Sequence, residues 1–315
     1  MATRTLNNAK NQKKDEFYTQ FNDINNELKH YKEYFKDKVI FLNCDDPEIS
    51  NFWKYFHLNF SFFGIRKIIS THFVYQDMFN EGDTYKLEYC GGNDNDVMVG
   101  EKTILKNNGD FRSEECIEIL KEADIVVTNP PFSLFREYVA QLIEYNKKFL
   151  IIGNVNAITY KEIFRLIKEN KIWMGISIHS GDREFRVPDY YPLNAAGFRI
   201  DENGIKYIRI KGVRWFTNLD YKERHENLIL YKKYNMTDYP IYDNYDAINV
   251  DETKNIPMDY DGVMGVPITF LDKYNPDQFE ILGIDRYIEN NPHYGHRFKI
   301  NGREIYARIL IKRKK

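Results

Sequence analysis

Four residues near the middle of the chain combine a side-chain amide, two rigid prolines and an aromatic ring. Asn129, Pro130, Pro131 and Phe132 follow Thr128 and the run 123–127, which is mostly apolar and typical of a buried strand. Each proline fixes its own φ angle and biases the preceding residue toward an extended conformation. We therefore expect the Asn129 side chain and the Pro130 carbonyl to be held in one orientation, with the Phe132 ring just beyond them.

This set of groups suits the binding of a planar NH₂ group. The Asn129 amide oxygen and the Pro130 carbonyl can accept its two hydrogens, and the Phe132 ring can stack on a flat heterocycle, which contributes roughly 1–3 kcal/mol per base. An exocyclic amine on a nucleobase matches all three groups, and its nitrogen lone pair would then attack an electrophile placed in line. The same pattern also fits an ordinary strand-to-helix turn, so the four residues alone leave both interpretations open.

The elements around this turn predict a parallel α/β sheet with helices on both faces. Runs of buried-strand type lie at 39–42, 65–71, 123–127 and 148–152. Helical patterns lie between them at 23–34, 50–60, 113–121 and 133–145, with Asp23 and Ser133 as expected N-caps. Two further β-like runs between 85 and 107 predict a hairpin. Ligands bind such parallel sheets at the carboxyl ends of the strands, where Asn129 would lie.

Length and composition allow one or two domains. The chain has 315 residues, 43% of them hydrophobic, and beyond Lys171 the pattern is mostly strand-like and rich in Gly, Tyr and Arg. We predict an α/β region over residues 1–170 and a β-rich region over residues 171–315 that is partly woven back onto the α/β sheet.

Several classes of protein are disfavoured. No run reaches the roughly 18 apolar residues of a membrane span, and the N-terminus has no apolar signal core. The three cysteines have no metal or redox spacing, which predicts free thiols and a cytoplasmic location. No spacing predicts a metal site, and no arrangement supports Ser/His/Asp hydrolysis.

The motif at residues 129–132 has a counterpart in known proteins. Asn-Pro-Pro-aromatic after a strand is the catalytic motif of S-adenosylmethionine-dependent amino-methyltransferases, and over nearly its whole length the chain resembles the EcoRI-type adenine-specific DNA methyltransferases. The segments that carry this resemblance are DEFYTQ at 15–20, NCDDP at 43–47, NGDFRS at 108–113, NPPF at 129–132, GVRWFTNLD at 212–220 and MDYDGVMGVPITFLDKYNP at 258–276.

The resemblance implies a fold, a cofactor and a reaction. The fold would be a class I (Rossmann-like) methyltransferase sheet with a β-rich DNA-recognition region, the methyl donor S-adenosylmethionine, and the acceptor N6 of a flipped-out adenine. Asn129 and the Pro130 carbonyl would hold the adenine amine, Pro131 would complete the rigid turn, and Phe132 would stack on the base.

The resemblance also implies three cofactor-binding segments. Phe17, Tyr18 and Thr19 fall in the N-terminal cofactor segment, while Asp110 and Phe111 would contact the cofactor's adenine, with the Asp110 carboxylate accepting from its amine. The loop after the first strand would hold the methionine part of the cofactor; its residues are Asn43, Cys44, Asp45 and Asp46.

Two features depart from the wider superfamily. The loop after the first strand is usually rich in glycine, but no glycine occurs here between Val39 and Gly64, so the loop must work through side chains or through the N-terminus of a following helix. The second strand also ends without the acid that commonly holds a ribose, and Asp77 is a candidate substitute.

Charge is distributed in blocks. Residues 161–233 carry 15 basic against 10 acidic residues, residues 238–289 carry 3 against 12, and residues 292–315 carry 8 against 1. Such blocks fit solvated faces as well as nucleic-acid surfaces. We predict that the first block contacts phosphates or guanine edges and that the basic tail 312–315 adds salt-dependent affinity. The predicted DNA-binding residues are Arg183, Arg186, Arg199, Arg209, Lys211 and Arg214.

The expected partner is double-stranded DNA, bound by a monomer, with a cognate restriction endonuclease as a possible second partner. Two alternatives stay open at this stage. The same acceptors fit the amide of a protein glutamine or a base in RNA, and a catalytically dead relative would bind DNA without turnover. The intact Asn129–Phe132 set argues against the dead relative.

Overall fold

The structure is a computed structural model and describes residues 17–44, 46–73, 83–97, 99–189, 191, 197–288 and 292–314. Within these residues the α-helices are α1 Phe21–Leu28, α2 Lys32–Phe35, α3 Asn51–Leu58, α4 Phe60–Phe63, α5 Glu114–Glu122, α6 Phe135–Glu144 and α7 Lys161–Lys168. The strands of the first two thirds of the chain are β1 Tyr18–Thr19, β2 Val39–Leu42, β3 Lys67–His72, β4 Tyr85–Tyr89, β5 Glu101–Ile104, β6 Ile125–Thr128, β7 Lys148–Asn154, β8 Trp173–Met174, β9 Asp182–Arg186, β10 Arg199–Ile200, β11 Lys206–Lys211 and β12 Val213–Thr217. The later strands are β13 Ile241–Tyr242, β14 Tyr245–Asn249, β15 Met264–Pro267, β16 Phe279–Ile284, β17 Lys299–Ile300, β18 Arg303–Glu304 and β19 Arg308–Arg313.

The chain divides into two compact units. The first contains residues 1–155 and 180–219, and the second contains residues 156–179 and 220–315. This division differs from the predicted boundary after residue 170. A β-rich segment of the second half belongs to the first unit, and helix α7, which we had placed in the α/β region, belongs to the second.

The main sheet of the first unit has a parallel centre. Its strands run in the order β5-β4-β3-β2-β6-β7-β12, in which β2 pairs in parallel with β3 and β6, and β6 with β7. Strands β2 and β6 are short, apolar and buried along their whole length, as central parallel strands usually are. The predicted hairpin is confirmed by the antiparallel pairing of β4 with β5. Helices α3, α5 and α6 contact strands β3, β2 and β7, so the unit is a mixed α/β structure.

The helices begin with caps that differ from the two that were predicted. The Ser113 hydroxyl accepts from the Cys116 N–H and caps α5, and the buried Ser50 hydroxyl accepts from the first turn of α3. Asp23 was wrongly predicted as an N-cap: Gln20 occupies that position, and Asp23 forms an ion pair with Arg183 at 3.5 Å. Ser133 was also wrongly predicted as an N-cap.

The start of α6 explains the second error. The two prolines lead into a 3₁₀ turn, Phe132–Leu134, in which the Leu134 N–H donates to the Pro131 carbonyl at 2.9 Å. The α-helix therefore begins only at Phe135, and no side chain caps it.

A second sheet of the first unit runs in the order β1-β9-β11-β10 and is antiparallel throughout. In β9 and β11 the buried side chains of Phe185 and Ile208 lie opposite each other and define the inner face. The neighbours of these residues along each strand point to the other side, which we call the outer face.

The second unit is built on a five-stranded sheet in the order β13-β14-β15-β19-β16. Strand β19, which pairs with β15 and β16, buries Ile309, Leu310 and Ile311, and α7 packs its buried residues against β16. Near residue 225 a histidine bridges two acids: His225 Nδ1 lies 2.6 Å from Asp277 and Nε2 lies 2.9 Å from Asp220. These hydrogen bonds raise the pKa of His225 above its ordinary value.

No helix in the described part of the chain is long and apolar enough to cross a membrane.

Replacing the cap of α3 should destabilise the protein measurably. In Ser50→Ala the N–H groups of Phe52 and Trp53 lose their acceptor in a buried position, so we expect the free energy of unfolding to fall by about 1–2 kcal/mol. Denaturant unfolding followed by fluorescence measures the change. Ser180→Ala is the matched control, with an expected change within about 0.5 kcal/mol because that residue is exposed and lies outside every helix that the structure describes. Equal losses in the two variants would contradict the assignment of the caps.

Candidate active site

The candidate site is formed where strands β2 and β6 end side by side. Phe41 pairs with Val126 in parallel register, so the loops that follow the two strands emerge at the same edge of the sheet. The buried Thr128 hydroxyl at the end of β6 donates to the backbone carbonyl of Asn43 at the end of β2. Neighbouring carboxyl ends of parallel strands are the usual place for a ligand site in open α/β sheets.

Asn129, the first residue after β6, has a defined side-chain orientation. It is only 6% exposed, and its Nδ2 donates to the backbone carbonyl of Phe17. Since a carbonyl only accepts, this bond identifies the donating end of the amide. The other end, Oδ1, is buried and has no hydrogen-bond partner in the part of the chain that the structure describes. A buried acceptor left unpaired is costly, so an incoming donor would satisfy it.

The Phe132 ring belongs to an aromatic cluster, which consists of Phe17, Phe132, Phe185 and Tyr191. The Phe132 ring lies 5.7 Å from that of Phe17 and 6.5 Å from that of Phe185, both edge to face, and Phe17 also contacts Tyr191 at 6.2 Å. Phe185 and Tyr191 were not predicted as site residues, because each is one of 49 aromatic residues and no spacing distinguishes it. Pro130 is buried, and the Pro131 carbonyl is used by the following turn.

The loop after β2 is ordered by its own polar groups. The buried Asn43 accepts with Oδ1 from the Cys44 N–H at 2.8 Å and from the Thr71 hydroxyl at 3.2 Å. Cys44 has a φ of +64°, a left-handed conformation that favours glycine. The loop therefore makes the turn expected of a glycine without containing one. Asp45 lies outside the described residues.

Asp46 completes this loop and contacts the end of β3. Its carboxylate accepts from the Glu48 N–H at 3.0 Å and lies 3.3 Å from Nδ1 of His72, the last residue of β3. The His72 ring stacks on Tyr85 at 4.9 Å. An acid therefore does stand at the end of the second parallel strand, but it comes from the loop after the first. Asp77, the predicted substitute, lies outside the described residues.

The N-terminal segment passes directly over this edge of the sheet. Tyr18 and Thr19 pair with Arg186 and Phe185 of β9, and the Thr19 carbonyl accepts from the Asn51 side chain at 2.7 Å. Thr19 Oγ1 is buried and, among the described residues, has no hydrogen-bond partner. Two buried oxygens without a partner, Thr19 Oγ1 and Asn129 Oδ1, thus belong to the segments that the sequence singled out.

Asp110 and Phe111 lie beside an open depression of about 340 Å³, which is lined by Lys106, Asn107, Asn108, Asp110, Arg112 and Ser113. Burial alone would raise the pKa of Asp110, but hydrogen bonds from Arg112 at 2.6 and 2.8 Å outweigh it and lower the pKa below its ordinary value. The Phe111 ring is 4% exposed and packs edge to face on Tyr138 at 5.0 Å. The Asp110 carboxylate is therefore charged and already paired, and little of the Phe111 ring is accessible.

The predicted DNA-binding residues separate into three environments. Arg186, Arg199, Arg209 and Lys211 share the outer face of the second sheet, as their pairing register shows. There Glu184 pairs with Arg199 at 2.5 Å and with Arg209 at 3.9 Å. Arg183 lies on the inner face, beside Asp23.

Arg214 differs from the other five. It is 4% exposed in β12 and donates to the Val213 carbonyl at 2.8 Å. Its burial argues against a direct contact with DNA. Within the described ranges, no cluster of three or more His, Cys, Asp or Glu residues could hold a metal ion.

A buried amide oxygen and an aromatic ring thus follow the end of a parallel strand, at the position where the sequence predicts that a planar amine binds. Comparison with known proteins identifies the family of the chain. The family described as "Adenine-specific methyltransferase EcoRI" matches residues 5–314. The chain is 50% identical to "Type II methyltransferase M.EcoRI" of Escherichia coli, over 99% of this chain and 97% of that protein.

Two relatives from mycoplasmas are more distant. The chain is 40% identical to "Type II methyltransferase M.MgeORF184P" of Mycoplasma genitalium and 37% identical to "Type II methyltransferase M.MpnI" of Mycoplasma pneumoniae, in each case over 98% of both chains. No solved structure matches. The chain belongs to the EcoRI family of adenine-specific DNA methyltransferases. As an enzyme of that family it uses a methyl donor and acts on adenine in DNA.

The link between the two strand ends can be tested by an isosteric change. In Thr128→Val the buried Asn43 carbonyl loses its donor, so we expect the free energy of unfolding to fall by about 1–3 kcal/mol. Denaturant titration measures the loss. Thr103→Val, the same change on the exposed strand β5, should stay within about 0.5 kcal/mol. A Thr128→Val protein as stable as the wild type would show that the bond contributes nothing.

Proposed function

We propose that the protein transfers a methyl group from S-adenosylmethionine to N6 of an adenine that is flipped out of double-stranded DNA. The observation that carries the proposal is the orientation of Asn129. Its amide nitrogen is engaged by the Phe17 carbonyl, and its buried oxygen is left without a partner in the described part of the chain. That oxygen, together with the Pro130 carbonyl, suits the two hydrogens of an adenine amine.

The topology supports a class I, Rossmann-like methyltransferase sheet. Strands β3, β2, β6 and β7 form a parallel centre, and the chain leaves β2 toward one side and returns on the other through β6. The loops after β2 and β6 thus flank the point where the strand order reverses, which is where such sheets bind nucleotide-like ligands.

The residues present fit the cofactor in part. The Thr19 hydroxyl, which has no partner among the described residues, the left-handed turn at Cys44 and the Asp46 carboxylate lie at this edge and provide polar groups for an amino acid and a ribose. Phe17, Tyr18, Thr19, Asn43, Cys44 and Asp46 are therefore our proposed cofactor-binding residues, together with Asp110 and Phe111. The existing pair between Asp110 and Arg112 would compete with binding of the cofactor by the Asp110 carboxylate. When bound, S-adenosylmethionine would supply a methyl group on a positively charged sulfur, already activated for transfer.

The protein's own contribution would be to position and polarise the amine. Asn129 Oδ1 and the Pro130 carbonyl would accept the two amine hydrogens and so hold the nitrogen lone pair in one direction. Phe132 would stack on the base, with Phe17 and Phe185 supporting its ring. Such positioning, rather than a covalent enzyme intermediate, is the source of rate enhancement that this arrangement favours. Because N6 is inaccessible in line within a duplex, we infer base flipping, which costs a few kcal/mol.

DNA binding is proposed for the outer face of the second sheet. Its basic residues share one side of an antiparallel sheet, as phosphate contacts require, and Glu184 holds two of them in place. The β-rich segment that carries this face is connected through β1 to the site, so recognition and catalysis would be linked by backbone pairing. A cytoplasmic monomer, with or without a cognate endonuclease, remains our expectation.

The reaction is tested by incubating the protein with unmethylated DNA and labelled S-adenosylmethionine, followed by digestion to nucleosides. We expect label in N6-methyladenine, and RNA and protein offered in parallel should stay unlabelled. Asn129→Ala should lower the rate of methyl transfer by at least about 10²-fold, because an acceptor for the reacting amine is lost.

Asn26→Ala, on the exposed face of α1, is the matched control and should keep wild-type activity. Absence of N6-methyladenine in DNA that offers varied sequences would refute the proposed reaction. A fully active Asn129→Ala protein would leave the reaction standing but remove Asn129 from it.

The outer face is tested by the salt dependence of DNA binding. Lys211→Ala should weaken binding to all DNA sequences about equally, and the slope of log K against log salt should become shallower by about 1, because one phosphate contact is lost. Fluorescence anisotropy over a range of salt concentrations gives both quantities. Lys121→Ala on α5, which removes the same charge elsewhere on the first unit, should leave the slope unchanged. An unchanged slope in Lys211→Ala would exclude that residue from the DNA surface.

A further inference from the structure

We propose that the backbone carbonyl of Phe17 is a positioning group for methyl transfer: it holds the Asn129 amide in the one orientation that presents an acceptor to the adenine amine. This inference rests on the proposed function, since it gives a role to a contact behind the amine-binding residue. It assigns to the N-terminal segment a part in catalysis that is separate from cofactor binding.

A side-chain amide can be held in either of two orientations that fill nearly the same space. The oxygen and nitrogen of a carboxamide have nearly the same shape, but one accepts and the other donates. If the Asn129 side chain turned over, an NH₂ group would face the amine of the substrate, and two donors would oppose each other. Something must therefore select one of the two orientations. In the described structure the bond from Nδ2 to the Phe17 carbonyl makes that selection, and Oδ1 makes no bond of its own.

The carbonyl can select only if it is itself fixed, and three contacts hold the Phe17–Thr19 segment. Tyr18 and Thr19 pair with β9 in antiparallel register. The Thr19 carbonyl accepts from the Asn51 side chain at the start of α3. The Phe17 ring packs among Phe132, Phe185 and Tyr191, with centroid distances between 5.7 and 6.2 Å. The segment is thus anchored to both sheets of the unit.

In this arrangement the side chain of residue 129 must donate one hydrogen bond and accept another. Asparagine can donate to Phe17 and accept from the amine at the same time. An ionised aspartate would have two acceptors, one of which would oppose the Phe17 carbonyl. A neutral aspartic acid would again supply one donor and one acceptor, in nearly the shape of the amide. The proposal therefore predicts that a carboxyl group at this position works only in its protonated form.

Asn129→Asp tests this directly. Single-turnover methyl transfer to long unmethylated DNA is measured for the variant and the wild type between pH 6 and pH 9. Because the wild type shares every other titrating group, the ratio of the two rates reports on residue 129 alone. We expect this ratio to be lowered at least 10²-fold at pH 9 and to rise at least tenfold toward pH 6, by up to about tenfold per pH unit. Burial and the facing carbonyl should raise the pKa of the new carboxyl into this range.

The absence of a positioning role for Phe17 predicts a different pH dependence of the rate ratio. If Phe17 had no positioning role, a carboxylate would be at least as good an acceptor for the amine as an amide, and the ratio would stay flat or rise with pH. Either result overturns the proposal. Asn26→Asp on the exposed face of α1 introduces the same charge away from the site and should show a flat ratio near one.

A stability measurement covers the case in which the variant folds poorly. The sign is fixed by linkage: a carboxyl whose pKa is raised in the folded protein stabilises it at low pH, and that stability is lost as pH rises toward the folded pKa. The midpoint of thermal unfolding of Asn129→Asp, relative to wild type, should therefore fall from pH 6 to pH 9. A variant equally unstable at both pH values would overturn the proposal, because the neutral acid should replace the amide. If instead the wild type makes no N6-methyladenine, it is the proposed function that fails.

Discussion

The parallel pairing of β2 with β6 is the constraint on which the site depends. Both strands are buried throughout, so a slip by one residue would exchange the side chains that pack on the two faces and disrupt the core on both. With this register fixed, the two strands end together and their loops emerge as neighbours. The bond from Thr128 to the Asn43 carbonyl fastens the two ends, and Asn129 is the next residue along the chain. The positions of the site residues therefore depend on these two short strands.

The strands and the helix that follows Ser113 could be predicted because their signals are local. Four apolar runs indicated β2, β3, β6 and β7, and Ser113 preceded an acidic helical turn. The errors arose where a neighbouring segment competes with a local preference. Asp23 has the right chemistry for a cap but faces Arg183, which is distant in sequence, and Ser133 follows prolines whose turn delays the helix. A pattern within a few residues cannot report on either competitor.

The site itself was only half visible in the sequence. The Asn-Pro-Pro-Phe motif carries its own signal, because rigid turns next to an amide are unusual. The segments that support this motif carry no such signal in the sequence. Strand β1 is two residues long, and its partner β9 comes from a segment that follows all the parallel strands in the chain. Arg214 illustrates the reverse problem. An arginine in a basic segment suggested a DNA contact, but whether its strand is buried depends on pairing with β7, which is not a property of its neighbours.

Among the described residues no charged side chain bonds to Asn129, and this has a physical reason. Asn129 is buried beside aromatic rings, and an ionised side chain there would lose most of its hydration. A neutral amide avoids that cost and still supplies an acceptor, provided that its orientation is fixed. Orientation is therefore what the structure must supply in place of charge, and the aromatic cluster and the Phe17 carbonyl are the groups in a position to supply it. The positive charge needed for methyl transfer would then come with the proposed donor, and the protein would have to hold only a neutral nucleophile in line.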